Sequence, residues 1–175
     1  ALHNALDNCE EVIGIYIFSQ LQWKAHNESN VKLEFLLENL TLLEKSLSKL
    51  NIPLITINTD SFDSLPKDLC SFVVSNKVGQ IFWNNEFGVN ESKRDLLSSA
   101  ILEKENVKTS RFDDQVIYQP GYLKTGQGKP FSVFTPFKRR WIENFDMDFL
   151  DINYKHSIKK PINIKSDLSK IKFVR

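Results

Sequence analysis

VIGIYIF, from Val12 to Phe18, is an uninterrupted apolar run rich in β-branched and aromatic residues, and its reading decides the fold. A strand with one wet face would alternate apolar and polar side chains. A run without alternation is a strand buried on both faces, which is the habit of parallel sheets. IPLITIN (Ile52 to Asn58) and GQIFWN (Gly79 to Asn84) repeat the pattern. Helical spacing fills the intervals. Leu33, Leu36, Leu37, Leu40, Leu43, Leu47 and Leu50 recur at i, i+3, i+4 and i+7 and mark one face of a long core-facing helix. They are too few and too unevenly spaced for a zipper. Asp63 to Asn76 predicts a second helix with Leu65, Leu69, Phe72 and Val73 inward. A third opens with Asn90 as its N-cap and Glu91 in its first turn, and carries Leu96, Leu97, Ile101 and Leu102. Strands alternating with helices mean βαβ units, hence an α/β fold with a parallel sheet.

Further along, VKTSRF (Val107 to Phe112) and QVIY (Gln115 to Tyr118) are strand candidates, and QPGYLKTGQGKP is loop. FSVFTPFKRRWIENF turns around Pro136 and continues as a helix. From Asp146 the periodicity fades. Lys155, Lys159, Lys160, Lys165, Lys170, Lys172 and Arg175 make residues 146–175 basic and linker-like.

A chain of 175 residues holds one domain with a sizeable core. Its 41% hydrophobic and 26% charged residues exclude a disordered segment, and a net charge of +1 excludes a chain-wide electrostatic surface for nucleic acid. No apolar run reaches the roughly 20 residues of a membrane span. Cys9 and Cys70 have no metal-site spacing and read as reduced core residues, from which a cytoplasmic setting follows. The opening ALHNALDNCEE reads as the tail of a helix and the closing LSKIKFVR carries no stop signal, so the sequence is expected to be a fragment of a longer reading frame.

In open parallel sheets, ligands sit beyond the carboxyl ends of the strands. Two polar segments arrive there: SQLQWKAHN after the first strand and WNNEFGVNE after the third. No GxGxxG or Walker lysine motif is present, which argues against a dinucleotide or nucleoside triphosphate held in the usual way. His3, His26 and His156 have no paired metal spacing, and no Ser-His-Asp or Cys-His set can be assembled. Asp113 and Asp114 are adjacent and fit a turn. Asn90 and Glu91 have two readings that stand side by side. They can cap a helix, or the Glu91 carboxylate can accept paired hydrogen bonds from the amidine-like edge of a heterocycle such as a pterin.

With these segments in view the sequence resembles the N-terminal α/β domain of the DNA photolyase/cryptochrome family, and is most similar to bacterial enzymes that repair cyclobutane pyrimidine dimers. Four blocks carry the likeness in order: AL followed by VIGIYIF, then LQWKAHNESNVKLEFL, then FWNNEFGVNESKRD, then FDDQVIYQPGYLKTGQGKPFSVFTPFKRRW. The resemblance covers roughly residues 1–145. It implies a Rossmann-like doubly wound parallel sheet of order 3-2-1-4-5, with the family's first strand absent from this chain and its place lying between Val12–Phe18 and Ile81–Asn84.

The resemblance further implies that residues 1–145 are a light-harvesting antenna domain, residues 146–175 begin an interdomain linker, and the helical domain that binds FAD and damaged DNA is absent. The antenna cofactor it implies is methenyltetrahydrofolate, held by Asn90, Glu91 and His26. No catalytic residue and no metal site are implied here, and the parent is expected to be a monomer. The runner-up readings are a cryptochrome-type blue-light receptor domain, and a stand-alone nucleotide-binding or electron-transfer module.

Overall fold

The computed structural model describes residues 1–147, 157–168 and 171. In chain order the elements are α1 (Leu2–Asn8), β1 (Gly14–Phe18), α2 (Gln20–Ala25), α3 (Asn30–Ser48), β2 (Leu54–Asn58), α4 (Leu65–Ser75), β3 (Gln80–Asn84), α5 (Val89–Lys104), β4 (Lys108–Phe112) and α6 (Phe134–Glu143). The mixed α/β reading with parallel strands holds. β1 pairs with β2 in parallel from Gly14↔Leu54 to Phe18↔Asn58, and β3 pairs with β4 in parallel from Gln80↔Lys108 to Asn84↔Phe112. Among the described residues no ladder joins β1 to β3.

The strand alternation shows how the two pairs share one layer. Tyr16, Phe18, Leu54 and Phe82 turn towards α1 and α3, in a core with Ala5, Leu6, Leu40, Leu47 and Ile52. Ile15, Ile17, Ile57, Ile81 and Trp83 turn the other way and pack with Leu65, Leu69, Val73, Leu102 and Val107 of the α4–α5 side. Both faces are thus covered, as the all-apolar runs require. β2 is buried at Leu54, Ile55 and Thr56, whereas every residue of β3 and all of β1 but Phe18 are only half-buried.

Four helices end by one device. Asn27, Asn51, Lys77 and Asn106 adopt φ of 51°, 60°, 54° and 58°. The following amide reaches back five residues: Glu28 N donates to Trp23 O, Ile52 N to Leu47 O, Val78 N to Val73 O and Val107 N to Leu102 O, at 2.9–3.1 Å. This is the Schellman closure, which satisfies carbonyls that a helix end would otherwise leave open. At α3 and α5 the residue after the left-handed position is apolar and buried (Ile52 at 1%, Val107 at 7%), so one residue both closes the helix and leads into the next strand.

Several expected details change. In α3 the buried residues are Leu33, Leu40 and Leu47, seven apart, while Leu36, Leu37 and Leu50 are half-buried against the core and Leu43 is 44% exposed. The apolar face is narrower than seven leucines suggest. β2 starts at Leu54 because Pro53 has no N–H to donate. Gln115–Tyr118 is not a strand: the segment is a run of bends, Val116 and Ile117 are each 43% exposed, and it pairs with no strand among the described residues. The N-cap of α5 is Gly88, with Asn90 inside the first turn.

The described part of the basic tail lies against the fold. Lys159 N donates to Leu50 O, Lys160 N to Glu10 O and Asp167 N to Leu54 O, and Asp167 forms a parallel bridge with Ile55. Lys155, Lys170, Lys172, Arg175 and His156 lie outside the described residues.

Candidate functional site

Ser19 ends β1 and caps α2. Its hydroxyl accepts from Gln22 N at 3.1 Å and donates to the Asp60 carbonyl at 2.8 Å, which ties the β1 and β2 carboxyl ends together. This short helix ends at His26, an exposed residue. Across the layer, β3 runs into Asn84, Asn85 and Glu86, and α5 follows.

Between β1 and β3 lies a cavity of about 1340 Å³. Its walls include Ile15, Ile17, Ile81 and Trp83, and its rim at the strand carboxyl ends includes Gln22, His26, Glu28, Glu86, Glu91, Arg94 and Asp95. Glu91 and His26, which come from two separate βα junctions, therefore line one cavity. Asn90 does not line it and is exposed on the first turn of α5. The Glu91 side chain folds back over Gly88, the position of the reciprocal arm in a capping box. A carboxylate there also sits favourably at the positive end of the helix.

The amides of WNNE are committed elsewhere. Asn85 Nδ2 donates to Asp113 Oδ1 at 2.7 Å, Arg111 Nε donates to Asn85 Oδ1 at 2.7 Å, and Asn84 Nδ2 donates to Asp114. These polar residues therefore lock the end of β4, and Asp113 and Asp114, expected in a turn between two strands, lie in irregular chain directly after β4 with no strand following them among the described residues.

A cluster to which the sequence assigned no role stands at the cavity wall. Arg94 donates through Nη2 to Glu86 at 2.7 Å and through Nε and Nη2 to Asp95 Oδ1 at 2.9 and 2.7 Å. Its guanidinium lies 5.1 Å from the ring centre of Phe62. Burial works against the charge on Arg94, but the hydrogen bonds it donates to Glu86 and Asp95, with the charges of those carboxylates, outweigh it, and the pKa lies above the usual arginine value. Asp95 is 4% exposed, and its Oδ2 is buried without a partner, as is Trp83 Nε1. The signal in the sequence is Asp95, Ser98 and Leu102 at i, i+3 and i+7, an inward stripe of α5 that begins polar.

Among the described residues no group of histidine, cysteine or acidic side chains could hold a metal, and Cys9 and Cys70 are free and half-buried. No helix of the described residues is long and apolar enough to cross a membrane.

Comparison with known proteins points one way. The family model for DNA photolyase matches residues 1–159. Proteins named deoxyribodipyrimidine photo-lyase are 30% identical over 145 residues in Vibrio cholerae, covering 83% of this chain and 31% of that protein, and 34% identical over 132 residues in Escherichia coli, covering 75% and 28%. One from Buchnera aphidicola is 30% identical over 168 residues, covering 95% and 34%. The chain therefore spans about a third of the length of these relatives. In fold it is similar to a class III photolyase from Agrobacterium tumefaciens (TM-score 0.63, 21% identity, 95% of this chain and 33% of that one). It is equally similar to a photolyase from Sulfolobus tokodaii (TM-score 0.64, 18% identity, 91% and 33%). A stand-alone module of another family is thereby set aside: the chain belongs to the DNA photolyase family.

Proposed function

We propose that residues 1–145 are the antenna domain of a deoxyribodipyrimidine photo-lyase, which binds a light-harvesting cofactor for a flavin held in a separate helical domain. In this reading the parent repairs cyclobutane pyrimidine dimers in DNA, acts in the cytoplasm as a monomer, and continues through the basic segment 146–175 towards the helical domain. The observation that carries the reading is the convergence of Glu91 and His26 on one cavity at the strand carboxyl ends. The names of the relatives support the activity, and the Sulfolobus tokodaii protein, described with two FAD molecules, supports a second cofactor beside the catalytic one.

The cofactor is methenyltetrahydrofolate. The Glu91 carboxylate would accept from the amino-pyrimidine edge of the pterin and His26 would close the rim, while Asn90, which the resemblance also named, lies exposed outside the cavity and is left without a contact in this reading. When bound, the folate supplies near-ultraviolet absorption, and the residues here only hold and orient it. The sheet order belonging to this reading is 3-2-1-4-5. Here β2 and β1 are its third and second strands, β3 and β4 its fourth and fifth, and the place of the first is the cavity between β1 and β3. The free edges of β1 and β3 and their half-buried side chains support it.

Titration with methenyltetrahydrofolate, followed by the near-ultraviolet absorbance of the bound form, tests the site. Glu91→Gln replaces an acceptor with a donor that meets the pterin's own donors. It is expected to weaken binding by about 1–3 kcal/mol, the scale for an unsatisfied buried group. Equal affinity in Glu91→Gln and His26→Ala would remove the site. The 175-residue chain alone is expected to split no dimers under light, and repair by it would overturn the division of labour.

A further inference from the structure

A second cavity, of about 490 Å³, opens where the loop after β4 meets α6, and it shares no lining residue with the cavity between β1 and β3. Its polar lining is Lys124, Thr125, Gly126 and Ser132 from the loop and Arg140 from α6, and Phe131, Val133 and Pro136 form an apolar wall. No carboxylate lines it. The sequence around it is one-sided as well. Residues 115–142 hold five of the chain's 23 lysines and arginines and none of its 22 acids, in a chain whose net charge is only +1. The nearest acid to Arg140 is Glu143, 3.8 Å away in an exposed pair that water screens, so the guanidinium is still open to a stronger anion.

The loop is held in shape by its own bonds. Thr125 N donates to Lys129 O at 2.9 Å, Gly128 N to Thr125 O at 2.8 Å, and Lys129 N to Thr125 Oγ1 at 3.1 Å. The Thr125 hydroxyl accepts in that last bond and keeps its own proton to donate. Gly126 is the informative residue. Gly128 has a φ of 78° and needs to be glycine, but Gly126 stays out of the left-handed region, and a Cβ on it would meet nothing within 4 Å. Neither backbone conformation nor packing within the chain calls for glycine at 126. A ligand that must come close to the main chain does, and a phosphate beside two cations is such a ligand.

We propose that this cavity binds a phosphate group carried on a flat ring, which is the chemistry of a nucleotide. Lys124 and Arg140 take the charge, and the arginine fork suits phosphate oxygens. The Thr125 and Ser132 hydroxyls donate, the bare backbone at Gly126 admits the phosphate, and the wall of Phe131, Val133 and Pro136 takes the ring. The volume lies within the range of about 300–1,000 Å³ usual for small-ligand sites. Two sources offer this chemistry: a free nucleotide, and one nucleotide unit of a nucleic-acid strand.

The test titrates the isotope-labelled 175-residue chain with adenosine monophosphate, with adenosine and with a short oligo-deoxythymidylate strand, followed by amide chemical shifts. Adenosine monophosphate is expected to give saturable shifts centred on Gly126 and Ser132, and adenosine, which lacks the phosphate, to bind about tenfold more weakly or worse. Gly126→Ala is expected to weaken adenosine monophosphate about fivefold or more while Tm does not fall, because the fold leaves room for the methyl group. Lys124→Gln combined with Arg140→Gln is expected to weaken it about tenfold or more and to flatten the dependence on salt. Shifts at these residues with the strand bound more tightly than the mononucleotide assign the site to nucleic acid, and the reverse order assigns it to a free nucleotide. Equal affinity for adenosine monophosphate and adenosine, or no saturable shift with either phosphate-bearing probe, overturns the proposal. So does undiminished affinity in Gly126→Ala. The folate titration reads Glu91 and His26 in the other cavity, so its outcome is independent of this one.

Discussion

Arg94 shows how much one side chain can hold. It joins Glu86, on the loop after β3, to Asp95 on α5, and lies over Phe62 on the loop before α4. Asp95 is nearly inaccessible, and the guanidinium bonds its Oδ1 where water does not reach. Removing one member of a buried pair is costly because the other is left uncompensated. Arg94→Ala is expected to lower stability by about 3 kcal/mol, read from the urea midpoint. Arg94→Lys keeps the charge but loses the fork that bonds both carboxylates, and is expected to fall between the two. Gly14 makes a tight contact of another kind. A Cβ there would stand 3.2 Å from both Leu47 Cδ1 and Leu54 Cδ1, and those residues are 5% and 2% exposed and have no room to give. Gly14→Ala is expected to cost about 1 kcal/mol through overpacking, measured in the same way.

The helix ends make their own prediction at the scale of elements. Lys77 closes α4 in the left-handed region at φ 54°, where a side chain with a Cβ is disfavoured by about 1 kcal/mol and asparagine is better tolerated. Lys77→Gly is expected to stabilise the fold by up to about 1 kcal/mol, and Asn106→Gly by less, both read as a rise in Tm. In α3, Leu40→Ala is expected to cost about 2–5 kcal/mol and Leu43→Ala far less, since the first is buried and the second is not. The contact of the loop between α1 and β1 with the tail depends on acid. The Glu10 carboxyl is held below the ordinary glutamate range by a hydrogen bond from Lys160 and by that residue's charge, and the Lys160 ammonium is raised by the same pair. A depressed carboxyl contributes above its ordinary range, and the contribution is lost as the pH falls through the lowered value. Amide protection at Lys160, whose N–H donates to Glu10 O at 3.0 Å, is therefore expected to decline in acid, and Glu10→Gln to abolish that dependence.

Across the whole molecule, what separates this chain from a closed α/β sheet is the slot between its two strand pairs. The slot-facing amides of β1 and β3 have no strand partner among the described residues, while β2 is bonded on one side to β1 and is covered on the other by Ser166 and Asp167. Hydrogen exchange is therefore expected to be markedly faster at Ile15 and Phe82, whose amides face the slot, than at Ile55, whose amide faces β1. Equal protection in all three strands would mean that the slot is closed in solution.

Much of this was legible in the residues. VIGIYIF, IPLITIN and QIFWN lack alternation, and that alone dictates strands covered on both faces and hence βαβ units. Glu91 was legible as a first-turn carboxylate because helix starts favour acids. Leu33, Leu40 and Leu47 were legible as inward, but the limit of that face was not, because periodicity marks a stripe and only the neighbouring elements decide its width. Tertiary structure alone decided the remaining points. It gave Asn84 and Asn85 to the end of β4, since a side chain bonds whatever lies nearest and sequence carries no distances. It moved the N-cap of α5 to Gly88, left Gln115–Tyr118 as bends unpaired with any described strand, and laid Asp167 beside β2. It also buried Asp95 against Arg94. A lone aspartate on a helix reads as solvated until the packing around it removes the water.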